Sequence, residues 1–179
     1  MSTGAGAEER MPQRGAGSSD PAARLIAELT RRGLRIAVAE SLTGGLVVAE
    51  LTRIPGASLV VSGGVVAYDT AVKQSLLGVS PELVAREGVV HPEVARQMAA
   101  GVRRVLAVDG RRADIGVSTT GVAGPTEQDG KAPGTVFVGV AIGDDIEAVA
   151  LELHGDRGEI REQTVRQALD AVLRRLGAN

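Results

Sequence analysis

The 179-residue sequence has no cysteine and no tryptophan, and its only aromatic residues are one tyrosine and one phenylalanine. The lack of cysteine excludes a thiol nucleophile, a cysteine-based zinc site and a disulfide framework. The scarcity of rings argues against a protein that stacks the bases of single-stranded nucleic acid on aromatic side chains. The two histidines, His91 and His154, show no metal-ligand spacing, so neither a metal nor a cofactor is expected.

The sequence also lacks a large excess of charge of one sign and long apolar runs. The chain has 20 basic and 22 acidic side chains, and its short clusters at 31–35 and 111–112 are typical of solvated surface. No apolar run approaches the roughly 18 residues of a membrane span. The first twenty residues lack the hydrophobic core of a signal peptide. We therefore expect a cytoplasmic protein that binds neither nucleic acid nor membrane.

What is present is a core of Val, Leu, Ile and Ala, and hydrophobic residues make up 44% of the chain. Residues 1–20 are interpreted as a disordered tail, and 21–179 as a single domain. Apolar periodicity predicts strands near 34–39, 59–68, 113–119, 134–143 and 146–153, and helices near 21–33, 43–53, 70–77, 92–107 and 157–176, with a further short helix from Ser80. This pattern favours an α/β fold, a three-layer α/β/α sandwich with a mixed, mostly parallel sheet.

The stretch AVAESLTGG, residues 37–45, places polar residues directly after a predicted strand. Free amides at the start of the next helix, together with its dipole, form an anion-binding arrangement, and Gly44 and Gly45 would let a ligand approach the backbone. The alternative is structural: Ser41 or Thr43 caps the helix, and the glycines only allow tight packing. The stretch matches neither a Walker loop nor a Gly-x-Ser-x-Gly elbow.

Two further strand ends carry polar residues. VVAYDTAVK ends a strand with the chain's only tyrosine, Tyr68, and places Lys73 about one turn into the next helix. STTGVAGP, residues 118–125, ends another strand with hydroxyls and leads into a polar loop over 126–133. Each has a structural alternative. Tyr68 could be a half-buried ring at a strand end, Lys73 a solvated charge on a helix, and residues 118–125 an ordinary turn-rich connection.

The last predicted helix begins with two arginines, Arg157 and Arg161. Positive charge at a helix start opposes the helix dipole. A phosphate or carboxylate ligand would compensate for this charge, and so would a salt bridge to Asp156 or Glu159.

The ordered set AESLTGG, GGVVAYDTAVK, GVVHPEVA, TTGVAGP…GTVFVGVA and GDR…R closely resembles the CinA C-terminal domain family. Its enzymatic members are nicotinamide-nucleotide amidohydrolases of the PncC type, and the resemblance spans residues 22 to 176. It implies a compact α/β sandwich that assembles as a homodimer or larger homo-oligomer. It also implies hydrolysis of the carboxamide of nicotinamide mononucleotide to the acid and ammonia.

The resemblance also implies roles for individual residues. Ser41 would be the nucleophile, Lys73 its base, and Tyr68 a group that relays or orients the proton. A lysine base must be neutral, so its pKa would have to fall from about 10.4 to about 7–8. Backbone N–H groups from Thr43 to Gly45 would hold the oxyanion, and Glu40 would organise the site.

The 5′-phosphate of such a substrate needs hydrogen-bond donors. The candidates are Arg157, Arg161, Thr120 and the backbone from Gly121 to Gly124. His91 occupies a position where family members often have serine, and it is interpreted as a helix cap. Two alternatives stay open: the same site could act on another small carboxamide, or the domain could be a non-catalytic binding module linked to competence or DNA damage.

Overall fold

A computed structural model describes residues 19–178, and nearly all of the tail predicted over 1–20 lies outside them. The described residues form an α/β fold around one five-stranded sheet. The elements in chain order are α1 (Pro21–Arg32), β1 (Ile36–Glu40), α2 (Leu46–Thr52), a 3-10 turn (Ala57–Leu59), β2 (Val61–Val66), α3 (Thr70–Ser75), α4 (Pro81–Glu87), α5 (Pro92–Val105), β3 (Ile115–Gly121), β4 (Thr135–Ile142), β5 (Asp145–Glu152) and α6 (Arg157–Arg175).

The strand order is β2-β1-β3-β4-β5. Strand β1 is parallel to β2 and β3, whereas β4 is antiparallel to both of its neighbours, so only β4 runs against the other strands. Helices α1, α2 and α6 pack on one face of the sheet, and α3, α4 and α5 pack on the other. The predicted three-layer sandwich with a mixed sheet is confirmed.

Several helix ends form as the sequence predicts. The Asp20 carboxylate accepts the Ala22 N–H at the start of α1, and Gly33 ends that helix at φ +65°. His91 is the N-cap of α5, because its Nδ1 accepts the Glu93 N–H at 3.2 Å. Strand β2 has an irregularity of its own: Ile36 pairs with Val61 and Ala37 with Gly63, so the register against β1 skips Ser62.

The starts of α2, β2, β1 and β3 were predicted two or three residues too early; β1 begins at Ile36 rather than at 34, and β3 at Ile115 rather than at 113. Helix α2 begins at Leu46 rather than at residue 43, because residues 41–45 form a turn. Strand β2 begins at Val61 rather than at 59, because the 3-10 turn precedes it. The later start of α2 matters for function, since it separates Ser41 from the helix.

Helix α5 lies unusually close to the sheet, because the strand positions beneath it are small. A Cβ built on Gly116 of β3 would stand 2.0 Å from the Ala99 carbonyl oxygen, and one on Gly139 of β4 would stand 2.2 Å from the Ala95 carbonyl oxygen. The Ser118 hydroxyl donates to that same Ala95 oxygen at 2.6 Å. The backbone of α5 therefore fixes these positions as glycine or as a hydrogen-bonding small residue.

We expect Gly116→Ala to lower the free energy of unfolding by about 2–3 kcal/mol, because the new methyl group can be accommodated only by moving α5. Gly158→Ala in the first turn of α6 is the control, and its effect should stay within about 1 kcal/mol. Urea denaturation of both variants measures the difference. Equal stability of Gly116→Ala and the wild type would contradict this close packing.

Candidate active site

The carboxyl ends of β1, β2 and β3 meet at one edge of the sheet, where α/β proteins bind their ligands. A cavity of about 330 Å³ opens at this edge. Seven of the residues singled out from the sequence line it: Ser41, Tyr68, Lys73, Thr120, Gly121, Gly124 and Arg157. Five do not: Glu40, Thr43, Gly44, Gly45 and Arg161.

Ser41 follows β1 in a tight turn. Its N–H donates to the Thr119 carbonyl at 3.0 Å, and its own carbonyl accepts the Gly44 N–H at 3.1 Å. The N-cap of α2 is Gly45, without a side-chain cap, so the interpretation of Ser41 or Thr43 as a helix cap is wrong. Within residues 19–178 no hydrogen bond engages the Ser41 hydroxyl. The backbone of Ser41 therefore stabilises the turn, and its hydroxyl remains available to a ligand in the cavity.

Glu40 occupies the anion position at the start of α2. Its fully buried carboxylate accepts the N–H groups of Gly45 at 2.9 Å, Val47 at 3.1 Å and Val48 at 2.9 Å. These charge-assisted bonds satisfy the free amides of the helix and the positive end of its dipole. The amides of Gly44 and Gly45 are both engaged, so they are not available to the oxyanion predicted there.

Two other backbone amides of the turn remain available to an oxyanion. The N–H groups of Leu42 and Thr43 have no acceptor among the described residues, and Leu42 lies on the cavity wall. Arg161 holds the carbonyls of these same residues, with Nε donating to Leu42 and Nη2 to Thr43, each at 3.0 Å. The hydroxyls of Thr43 and Thr119 share a further bond of 2.8 Å. Arg161 therefore fixes the turn from behind and is not placed to contact a phosphate in the cavity.

Lys73 is buried, with only 1% of its surface exposed. Its Nζ donates to the Tyr68 carbonyl at 3.0 Å. Burial lowers the pKa of Lys73 below its ordinary value of 10.5, and the nearby charge of Asp69 opposes this shift. The interpretation of Lys73 as a solvated helix charge is therefore wrong. Its surroundings favour the neutral amine that a lysine base requires.

Tyr68 lies at the cavity rim, 62% exposed. Arg157 links it to the end of β3: Nη2 donates to the Tyr68 hydroxyl at 3.1 Å, and Nη1 donates to the Gly124 carbonyl at 2.8 Å. Because the phenol oxygen accepts this bond, its own proton stays available. Asp156 and Glu159 form the capping box of α6, so the predicted alternative of a salt bridge between them and the arginines is wrong for the described residues.

Thr120 lines the cavity, but its hydroxyl proton is committed. Its Oγ1 donates to the Val89 carbonyl at 2.8 Å, so it does not donate to a phosphate in this arrangement. The Asp129 carboxylate accepts the Val89 N–H at 3.1 Å and connects the loop over 126–133 to the turn between α4 and α5. Lining residues that the sequence did not single out are Thr70, Val89, Val90, Thr126, Glu127 and Gln128, and the polarity of that loop was a signal for the last three only.

Metal ligands and membrane spans were searched over residues 19–178. That part of the chain brings together no three His, Asp or Glu side chains able to hold a metal ion. It also contains no helix that is both long enough and apolar enough to cross a bilayer.

Residues 18–176 match the CinA C-terminal domain family. The chain belongs to this family. Two curated relatives of this CinA domain are a putative competence-damage inducible protein of Halalkalibacterium halodurans, 44% identical over 86% of the chain, and a CinA-like protein of Frankia casuarinae, 47% identical over 83%. The alignments cover 36% and 33% of these two proteins, so the chain spans about a third of their length.

Solved structures show the same CinA fold. The competence/damage inducible protein CihA of Agrobacterium tumefaciens aligns with a TM-score of 0.80 and 35% identity, over 88% of this chain and 93% of that one. The competence or damage-inducible protein of Enterobacter asburiae aligns with a TM-score of 0.82 and 31% identity, over 87% and 96% of the two chains.

Proposed function

We propose that this CinA domain is a nicotinamide-nucleotide amidohydrolase, which hydrolyses the carboxamide of nicotinamide mononucleotide to nicotinate mononucleotide and ammonia. The observation that carries the proposal is the shared cavity of Ser41 and Lys73: one brings a hydroxyl that no described residue engages, the other a buried amine with a lowered pKa. A weakly nucleophilic hydroxyl and an adjacent neutral base are the two parts that amide hydrolysis through an acyl-enzyme needs.

The first step forms the acyl-enzyme. The neutral Lys73 amine takes the Ser41 hydroxyl proton as Oγ attacks the carboxamide carbon, and the free N–H of Leu42 on the cavity wall stabilises the oxyanion. The tetrahedral intermediate collapses by breaking the C–N bond. The departing amide nitrogen takes up the proton held by Lys73, with the Tyr68 hydroxyl at the cavity rim as a relay, and leaves as ammonia.

The second step returns the enzyme to its starting state. A water molecule attacks the acyl carbon and gives a proton to Lys73. The C–Oγ bond then breaks, Ser41 regains its proton from Lys73, and nicotinate mononucleotide leaves. No further charged group has to accept or supply a proton during the cycle, because Lys73 itself alternates between its neutral and protonated forms.

Arg157 is the donor that we assign to the 5′-phosphate. It lines the cavity and uses two of its nitrogens on Tyr68 and Gly124, which leaves Nε–H and further N–H groups for an anion. Arg161 lacks this freedom, because Leu42 and Thr43 take up its Nε and Nη2. A phosphate at Arg157 would point the nicotinamide ring inward from the exposed rim.

The proposal is tested by ammonia release from nicotinamide mononucleotide in a metal-free buffer with a chelator, and from nicotinamide riboside, which lacks the phosphate. We expect turnover of the mononucleotide and a KM about 10–100-fold higher for the riboside. In Arg157→Gln the two substrates should approach the same KM, because the group that distinguishes them is gone.

Failure of the well-folded wild type to release ammonia from either substrate would overturn the proposal. Saturable binding of the mononucleotide without turnover would then support a non-catalytic binding module. That alternative is consistent with relatives named only as competence-damage inducible proteins.

A further inference from the structure

A second polar cavity, of about 420 Å³, lies at the opposite edge of the sheet from Ser41. It is formed where β1 and β3 begin. Arg35 directly precedes β1, Asp114 directly precedes β3, and the turn from Val108 to Arg112 closes the side. Strand β1, which is five residues long and spans about 17 Å, separates it from the candidate active site.

Arg35 is the residue that needs an explanation. Its Nε is shielded from solvent and has no hydrogen-bond partner among the described residues. The Arg35 side chain forms no ion pair in that part of the chain either. Buried polar atoms are nearly always paired, so an arginine whose side chain has no partner among the described residues is unusual, and its terminal N–H groups stay available to a ligand in the cavity. A guanidinium on a cavity wall is completed best by an oxyanion.

A tight turn adds two more arginines to this cavity. Val108 and Arg111 exchange backbone N–H···O bonds of 3.0 Å in both directions, and Asp109 and Gly110 between them have φ values of +52° and +74°. The turn carries Arg111 and Arg112 on the same cavity wall as Arg35. These clusters are far apart in the sequence, and the parallel pairing of β1 with β3 brings them together.

The carboxylates near the cavity leave two of its three arginines without an ion pair among the described residues. Asp114 Oδ2 accepts the backbone N–H of Arg35 at 2.8 Å, and Asp109 is exposed at the rim. The nearest carboxylate to Arg112 is Asp144, at 3.9 Å, with both side chains largely exposed. The guanidinium groups of Arg35 and Arg111 therefore have no ion-pair partner among the described residues.

We propose that this cavity, defined by Arg35, Arg111 and Arg112, is a second binding site for a small phosphate-type oxyanion, distinct from the catalytic cavity. The forked N–H groups of arginine match the oxygens of phosphate in geometry and charge. Because the cavity exceeds the size of one phosphate, the anion is either free phosphate or the phosphate group of a nucleoside monophosphate. The proposal does not depend on the amidohydrolase activity.

Calorimetric titration of the full chain with inorganic phosphate and with adenosine monophosphate tests this site. The titrations use the Arg157→Gln background, so that the catalytic cavity contributes no arginine contact. We expect saturable one-to-one binding, weakened tenfold or more by Arg35→Gln and by Arg111→Gln. Arg86→Gln, which removes an exposed arginine paired with Glu87, is the matched control and should leave the affinity unchanged.

Each outcome decides something. Tighter binding of the monophosphate than of phosphate identifies a nucleotide as the source, and equal binding identifies the free anion. Because Arg111 is exposed, its variant should fold, which circular dichroism checks. The proposal is overturned if neither anion binds at about 10 mM, if both arginine variants bind as tightly as their background, or if binding is present only when Arg157 is intact.

Discussion

Replacing Ser41 by alanine should lower kcat for ammonia release from nicotinamide mononucleotide on the order of 10⁴-fold. The expected loss is this large because the hydroxyl makes the bond that every later step uses. The fold should not change, since the fold depends on the Ser41 N–H and carbonyl, which the variant keeps. Stopped assays of released ammonia at saturating substrate measure the loss, and thermal unfolding checks the fold.

Ser75→Ala is the control for this prediction. The Ser75 hydroxyl lies on the exposed side of α3 and donates to the Ala71 carbonyl within the same helix, so turnover should stay within about twofold of the wild type. Intact-mass analysis of the wild type with a slow amide substrate should show an acyl adduct that Ser41→Ala cannot form. Full turnover by Ser41→Ala would exclude the nucleophile and leave Ser41 a role in orienting water.

The location of the candidate site could be predicted from the sequence, because it follows from strand direction. Ser41, Tyr68 and Thr120 each come at or just after the carboxyl end of a strand, and parallel strands bring such ends to one edge. The fold class followed from the alternation of helices with Val-rich strands. These features depend on order and periodicity, which a single sequence contains.

The different contacts of the two arginines in α6 could not be predicted from the sequence. Arg157 and Arg161 are four residues apart, so they lie on the same face of α6, about one turn from each other. Only the tertiary structure separates them: Arg157 reaches the cavity, whereas Arg161 reaches the carbonyls behind the serine turn. A difference of one helical turn therefore separates an arginine that lines the cavity from one that stabilises the serine turn.

The hydrogen-bond partners of Glu40 could not be predicted from the sequence either. The family resemblance suggested that this last residue of β1 organises the site, but its partners lie five to eight residues ahead in the chain. Those partners are set by where α2 begins, and the sequence predicted that start three residues too early. Local pattern identifies the carboxylate, whereas the helix start determines which amides it satisfies.

Replacing Lys73 by methionine should abolish turnover and at the same time stabilise the fold. Turnover falls because Lys73 is the base that we assign to Ser41; the other basic group on the cavity wall, the Glu127 carboxylate, belongs to the loop over 126–133. Stability rises because burial disfavours the ammonium, so removing the amine removes a desolvation cost. We expect a gain on the order of 1 kcal/mol, or about 2–4 °C in Tm. Lys131→Met, at the chain's other lysine, should change neither quantity.

The pH dependence separates this explanation from a simple packing effect. Because the folded-state pKa of Lys73 lies below the ordinary value of 10.5, the unfolded chain binds an extra proton between the two values. The free energy of unfolding of the wild type should therefore rise with pH across that window, and the rise should be missing from Lys73→Met. Wild-type kcat should also increase with pH through the lowered pKa, as the amine becomes neutral. Parallel pH profiles of stability for the two proteins would mean that Lys73 titrates normally and is not the base.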